Sequence, residues 1–156
     1  MTISDVLVAG LGNPLMGDEG VGPRVVDLAA RRAGEPPGID FLDLGTPGLA
    51  LLHALRGRRR VVLVDCAMMG APPGTIRRFT PAELRPAAGP GAASLHEPDL
   101  PALLRLARRL GERLPEIVIF GIQPLRIEPG VGLSPALEAR LADYAGRVVA
   151  EVLPAS

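Results

Sequence analysis

The carboxylates Asp18 and Glu19 stand side by side in residues 9–22, Ala-Gly-Leu-Gly-Asn-Pro-Leu-Met-Gly-Asp-Glu-Gly-Val-Gly, where five glycines and Asn13 surround them. Glycine at this density lets backbone come close to a ligand. Two adjacent negative charges argue against a phosphate there, so the turn points to a cation or a peptide. Asp65 closes the apolar run Val61-Val62-Leu63-Val64, and the single cysteine, Cys66, follows it. The two histidines are His53 and His96. His53 falls in a helical stretch and reads as a helix-face residue. His96, in Ser94-Leu95-His96-Glu97-Pro98, lies where a long loop meets a helix, a better place from which to reach a ligand.

Spacing excludes the familiar nucleotide loops. A dinucleotide fingerprint needs Gly-x-Gly-x-x-Gly, but Gly10 and Gly12 are followed by Leu15 where the third glycine belongs. No Gly-Lys-Ser/Thr is present, and the chain has no lysine. Ser94 lacks the Gly-x-Ser-x-Gly turn that would expose a nucleophile. A Cys66–His96 hydrolase is the competing chemical reading. If the strand continues past Asp65, however, residues 65 and 66 face opposite sides, and a small buried residue is the expectation for Cys66.

Glu19, Asp65 and His96 remain as a candidate set of two carboxylates and one imidazole. Carboxylates sharing a crevice repel unless a proton or cation sits between them. Such donors suit nickel, zinc, iron or manganese. The set is poorer in imidazole than most catalytic zinc sites and has no His-Glu-x-x-His motif, which favours a weakly held or borrowed metal.

Elements must bring these residues together. Apolar runs predict strands at about 5–10, 39–44, 61–64 and 116–120, with a charged edge strand at 75–79. Helices are expected at about 22–33, from Thr46-Pro47 to Arg56, at 98–111, and from Ser134-Pro135 to about Leu153; both Ser/Thr-Pro pairs read as N-caps. The Pro/Gly/Ala-rich loop 81–95 is long enough to carry function. Alternating strands and helices predict an α/β fold, a three-layer α/β/α sandwich. Its sheet is mostly parallel and five-stranded, with strands 2-1-3 adjacent and one antiparallel edge strand. In a doubly wound sheet, ligands bind at the carboxyl ends of the strands where the order reverses, which is where Glu19 and Asp65 would meet.

Composition sets wider bounds. The 156 residues, 47% apolar, suit a single domain spanning 1–156. Seventeen basic residues balance seventeen acidic ones, so charge suggests no nucleic-acid partner. The N-terminus lacks a signal-peptide pattern and no apolar stretch reaches membrane-spanning length. With one cysteine, the expectation is a cytoplasmic protein with no membrane partner.

Gly12-Asn13-Pro14-Leu15 leading to Asp18-Glu19-Gly20 and Gly22 resembles the N-terminal signature of the nickel–iron hydrogenase maturation endopeptidases. The likeness continues through Asp43-Leu44-Gly45-Thr46-Pro47-Gly48, Val64-Asp65-Cys66-Ala67 and Ser94-Leu95-His96. It reaches Gly121-Ile122-Gln123-Pro124 and Gly132-Leu133-Ser134-Pro135. Cys66 stands where alanine is common, and Leu95 where proline or threonine often precedes the histidine. The resemblance implies a protease that trims a C-terminal extension from a hydrogenase large-subunit precursor once nickel has been inserted. It implies that Glu19, Asp65 and His96 contact nickel presented by that precursor, and that Asp43 takes part in substrate recognition, with Asn13 beside it. The segment Gly10-Leu11-Gly12-Asn13-Pro14 also resembles the start of the peptidyl-tRNA hydrolases, but the only tyrosine is Tyr144 and no early histidine follows. A non-catalytic metal chaperone using the same three ligands is the alternative of another class.

Overall fold

The computed structural model describes residues 3–46, 48–84, 94–95 and 100–153. Strands β1 (Val6–Leu11), β2 (Ile39–Gly45), β3 (Arg60–Met68), β4 (Ile76–Phe79) and β6 (Glu116–Ile122) form a mixed sheet in the order β2-β1-β3-β6-β4. All neighbours are parallel except β4, the antiparallel edge strand on β6. A two-residue strand, β5 (Ser94–Leu95), pairs antiparallel with the end of β3. The expected three-layer sandwich with adjacent strands 2-1-3 is therefore the observed fold.

Strand alternation divides the core in two. Val8, Val62, Val64, Cys66, Val118 and Phe120 face α1 (Val21–Ala33) and α5 (Leu141–Val152), which supply Val25, Ala29, Tyr144 and Val148. Leu7, Ala9, Val61, Leu63, Ile117 and Ile119 face α2 (Leu49–Leu55) and α3 (Leu100–Arg109). β1 and the inner part of β3 are buried on both faces, which is why they read as unbroken apolar runs. Among the described residues no helix is long and apolar enough to cross a membrane.

Three boundaries differ from expectation. β3 does not stop at Asp65 but runs to Met68, because β6 continues beside it (Asp65 opposite Gly121, Cys66 opposite Ile122) and β5 pairs with its end. The second helix starts at Leu49 after Gly48 instead of being capped by Thr46; Pro47 lies outside the described residues. The last helix is broken into α4 (Pro135–Glu138) and α5 at Arg140, whose guanidinium bonds the Gly74 carbonyl at 2.8 Å and sits over the Tyr144 ring.

Ion pairs clamp the start of the sheet. The buried Arg58 side chain bonds Asp40 and the Ser4 carbonyl, while Glu151 accepts from Arg60 and Arg78. The bond from Arg58 holds the Asp40 carboxyl below its ordinary range, and the bond from Arg78, aided by Arg60, does the same for Glu151. Carboxyls lowered on folding stabilise above their unfolded values, about 4, and that stability is lost as pH falls through the folded values. The thermal midpoint is therefore expected to fall below about pH 4, with a shallower acid slope in Asp40→Asn. Identical slopes in variant and wild type would refute the assignment.

Candidate functional site

The turn after β1 is shaped by what its glycines touch. A Cβ on Gly22 would lie 2.3 Å from the Val64 carbonyl oxygen and 2.4 Å from that of Leu11. On Gly12 it would meet the Glu19 carbonyl oxygen at 2.0 Å, and on Gly20 the Pro14 Cα at 2.9 Å. These glycines close the chain onto itself, so the room expected for a ligand's approach is taken up by the protein's own backbone. The result is that a short 3-10 turn, Gly17–Gly20, lies against β3, with the Glu19 carbonyl beside Gly12 just after β1.

The two acids of the turn have separate tasks. Asp18 is fully buried, and its carboxylate accepts from the backbone N–H groups of Leu125 (2.9 Å), Arg126 (3.0 Å) and Ser134 (2.6 Å) and from the Ser134 hydroxyl (2.7 Å). Burial alone would raise its pKa, but the bonds from Ser134, Arg126 and Leu125 outweigh it and hold the group below its ordinary value. Ser134, which the sequence casts as a helix cap, gives its hydroxyl to Asp18 instead. Asp18 thereby ties the loop after β6 to the turn that carries Glu19. Asp18→Ala leaves three N–H donors without their acceptor, at a cost of about 2–4 kcal/mol. Chemical denaturation together with faster amide exchange in residues 125–134 should report it. Unchanged exchange there would show that Asp18 is no tether.

Glu19 is nearly buried, and Asp65 is 1% exposed. Asp65 Oδ1 accepts from the Cys66 N–H at 2.7 Å, while Oδ2 is buried with no hydrogen-bond partner among the described residues. Burial pushes the Asp65 carboxyl well above the usual carboxylate range; the Cys66 N–H pulls the other way, and the negative charge of Glu19 adds to the rise. The two acids, far apart in sequence, are thus electrostatic neighbours at the carboxyl end of the sheet. A buried carboxylate oxygen with no donor beside a second acid is a costly arrangement in the absence of positive charge. It is the chemistry a cation would satisfy. Among the described residues no group of three or more His, Cys, Asp and Glu side chains is arranged to hold a metal.

His96 lies outside the described residues. The chain reaches the site just before it: Leu95 is opposite Ala67 and Ser94 opposite Met68, two and three residues beyond Asp65 on β3. Asp43, exposed at the end of β2, uses Oδ1 to accept from the Gly45 N–H at 2.9 Å; Asn13 Oδ1 accepts from the Leu15 N–H at 2.9 Å. Both side chains shape the backbone at the carboxyl ends of β2 and β1. His53 is exposed on α2.

Cys66 packs with no exposure into the α1/α5 face, opposite to Asp65. Burial, then the charges of Asp65, Glu19 and Asp18, push its thiol above the ordinary cysteine range, the setting of a packed structural cysteine and not of an activated nucleophile. Gln123 is a residue that side-chain typing passes over: its Oε1 accepts from the Met69 N–H at 2.6 Å, holding the end of β3 to the end of β6. Its position in Gly121-Ile122-Gln123-Pro124, directly after an apolar strand, is the one signal it leaves in the sequence.

Known proteins show the same organisation. A family model for hydrogenase maturation proteases matches residues 23–151. The chain is 33% identical over 138 residues to the hydrogenase expression/formation protein HupD of Thiocapsa roseopersicina, covering 88% of this chain and 62% of that protein. It is 32% identical over 146 residues to the hydrogenase 2 maturation protease of Escherichia coli K12, covering 93% and 88%. The fold matches that of the hydrogenase maturating endopeptidase HybD from E. coli with a TM-score of 0.76 at 28% identity, over 94% of this chain and 91% of that one. Shared fold alone would not separate this chain from other doubly wound proteins, but the sequence match runs through β3 and the turn's helix as well. On that ground the chain belongs to the hydrogenase maturation protease family.

Proposed function

We propose that this chain, acting as one domain, removes the C-terminal extension of a nickel–iron hydrogenase large-subunit precursor, and that it recognises the nickel the precursor carries. The observation that carries this reading is the juxtaposition of Glu19 with Asp65, whose Oδ2 is buried and without a partner among the described residues. A cation arriving with the substrate removes the cost of that arrangement, whereas a resident metal is not required by it.

In this reading nickel is part of the substrate. Glu19 and Asp65 offer it oxygen donors, and His96 adds an imidazole. Occupying these positions docks the precursor with its scissile peptide bond at the carboxyl ends of β1 and β3. There the nickel or a water it polarises assists attack on the carbonyl. Asp43, near the end of β2, and Asn13, just after β1, contact the precursor. We place the reaction in the cytoplasm, on the single cysteine, Cys66, which is buried and free.

The test is mass spectrometry of a large-subunit precursor, with and without nickel, after exposure to the protein. The expected result is a shortened subunit in the nickel-loaded sample alone. Metal transfer without a shortened subunit would favour a chaperone. Cleavage independent of nickel would remove the metal from recognition.

A further inference from the structure

β2 is a terminal strand of the sheet, and among the described residues its outer edge is unpaired. We infer that the precursor's C-terminal extension adds to it as an extended strand, an inference that rests on the function proposed above. The Val6 N–H bonds the Gly38 carbonyl, and Val6 lies opposite Ile39. In a parallel ladder, the residue opposite such a bonding residue turns its own N–H and C=O to the other side. The register Val6–Ile39, Val8–Phe41 and Gly10–Asp43 therefore points the backbone groups of Ile39, Phe41 and Asp43 away from β1. Among the described residues no strand pairs with them. β2 contains no proline, and of its two charged residues Asp40 is held by Arg58.

Beside this edge runs an open groove of about 490 Å³ whose lining mixes apolar residues such as Pro23, Val26 and Phe41 with the charged Arg24, Asp27 and Asp43. An extended peptide on this edge would lay every second side chain along that mixed apolar and charged lining. Backbone contacts join the groove's lining to the turn that carries Glu19. Pro14 packs against Gly20, next to Glu19, and the end of β2 is joined to the same turn by the bond from the Gly12 N–H to the Gly45 carbonyl at 2.9 Å.

The register sets the reach. Asp43 and Val64 are both opposite Gly10, so β2 and β3 are separated by one strand. A strand added outside β2 would run about 14 Å from β3, three sheet spacings, which four or five extended residues cross. The segment before the scissile bond belongs to the folded subunit, whereas the extension is a free end. Its residues from about the fifth beyond that bond onward are the ones that pair with β2.

Amide exchange by NMR with the nickel-loaded precursor, its scissile bond replaced by a non-cleavable linkage, tests this. Two precursors are compared, one with its full extension and one cut to three residues beyond the scissile bond. The expected result is exchange at Phe41 and Asp43 slowed about tenfold or more by the full-length form and unchanged by the short one. Equal exchange with both forms, while resonances of residues 17–22 and 65–67 shift, overturns the strand-edge inference and leaves the proposed function standing. No shift at the crevice with either form removes both.

Discussion

Asp65→Asn is expected to abolish precursor processing and, in the same molecule, to raise the thermal midpoint. The carboxylate is buried, leaves one oxygen without a donor among the described residues and lies close to the charge of Glu19. A neutral amide of the same shape removes that penalty, a gain of about 1–2 kcal/mol near neutral pH. The sign follows from the raised carboxyl. A group whose folded pKa lies above its unfolded value stabilises below the unfolded value, about 3.9, and this contribution is lost as pH rises through the folded value. The advantage of the variant should therefore grow with pH and vanish in acid. Loss of a nickel-facing oxygen should slow processing by about a thousandfold or more, and Glu19→Gln should share that loss. Melting curves across pH and cleavage of nickel-loaded precursor check the two halves separately. A variant that is destabilised at neutral pH contradicts the burial argument; one that processes at the wild-type rate removes Asp65 from the mechanism.

Gly22→Ala is the second large effect. The added methyl would sit 2.3 Å and 2.4 Å from two backbone carbonyl oxygens, of Val64 and Leu11, in the central strands. Neither strand can yield without breaking its ladder, so the cost exceeds ordinary overpacking: about 3 kcal/mol or more, and a midpoint lower by roughly 6–12 °C. Whatever relaxation occurs must push α1 and the preceding turn outward and draw Glu19 away from Asp65, so processing should fall as well. Gly146→Ala is the control. Its Cβ meets nothing within 4 Å, and it lies inside α5, where alanine should be neutral or stabilising by about 0.5–1 kcal/mol. Comparable losses in both variants would mean that close approach at Gly22 does not decide the outcome.

The contrast between what was and was not readable beforehand has a physical basis. β1, β2, β6 and the charged edge strand β4 carry period and composition within a few neighbouring residues, and the parallel order follows from alternation with helices. The pairing of Glu19 with Asp65 follows from the same topology, since both stand at the carboxyl ends of neighbouring strands. The boundaries that moved depend on distant partners. β3 outlasts Asp65 because β6 and β5 extend alongside it, and the last helix breaks where Arg140 reaches the Gly74 carbonyl. Asp18 is the clearest case: its four donors lie between 107 and 116 residues away, so nothing near it in the chain marks it as a tether. Its neighbour Glu19 has the same chemistry and an identical local setting, yet a different task. Position relative to one strand end separates them.

The glycines of the opening turn have a consequence for reading other chains. Gly12, Gly20 and Gly22 are spent on packing the backbone against itself, so a chain that kept them while carrying Gln at position 19 and Asn at position 65 would still fold and still resemble this family. The most visible part of the signature certifies architecture. On the proposed nickel chemistry, two carboxyl groups, one of them far outside that signature, are what a genome survey should inspect before counting such a chain as a working protease.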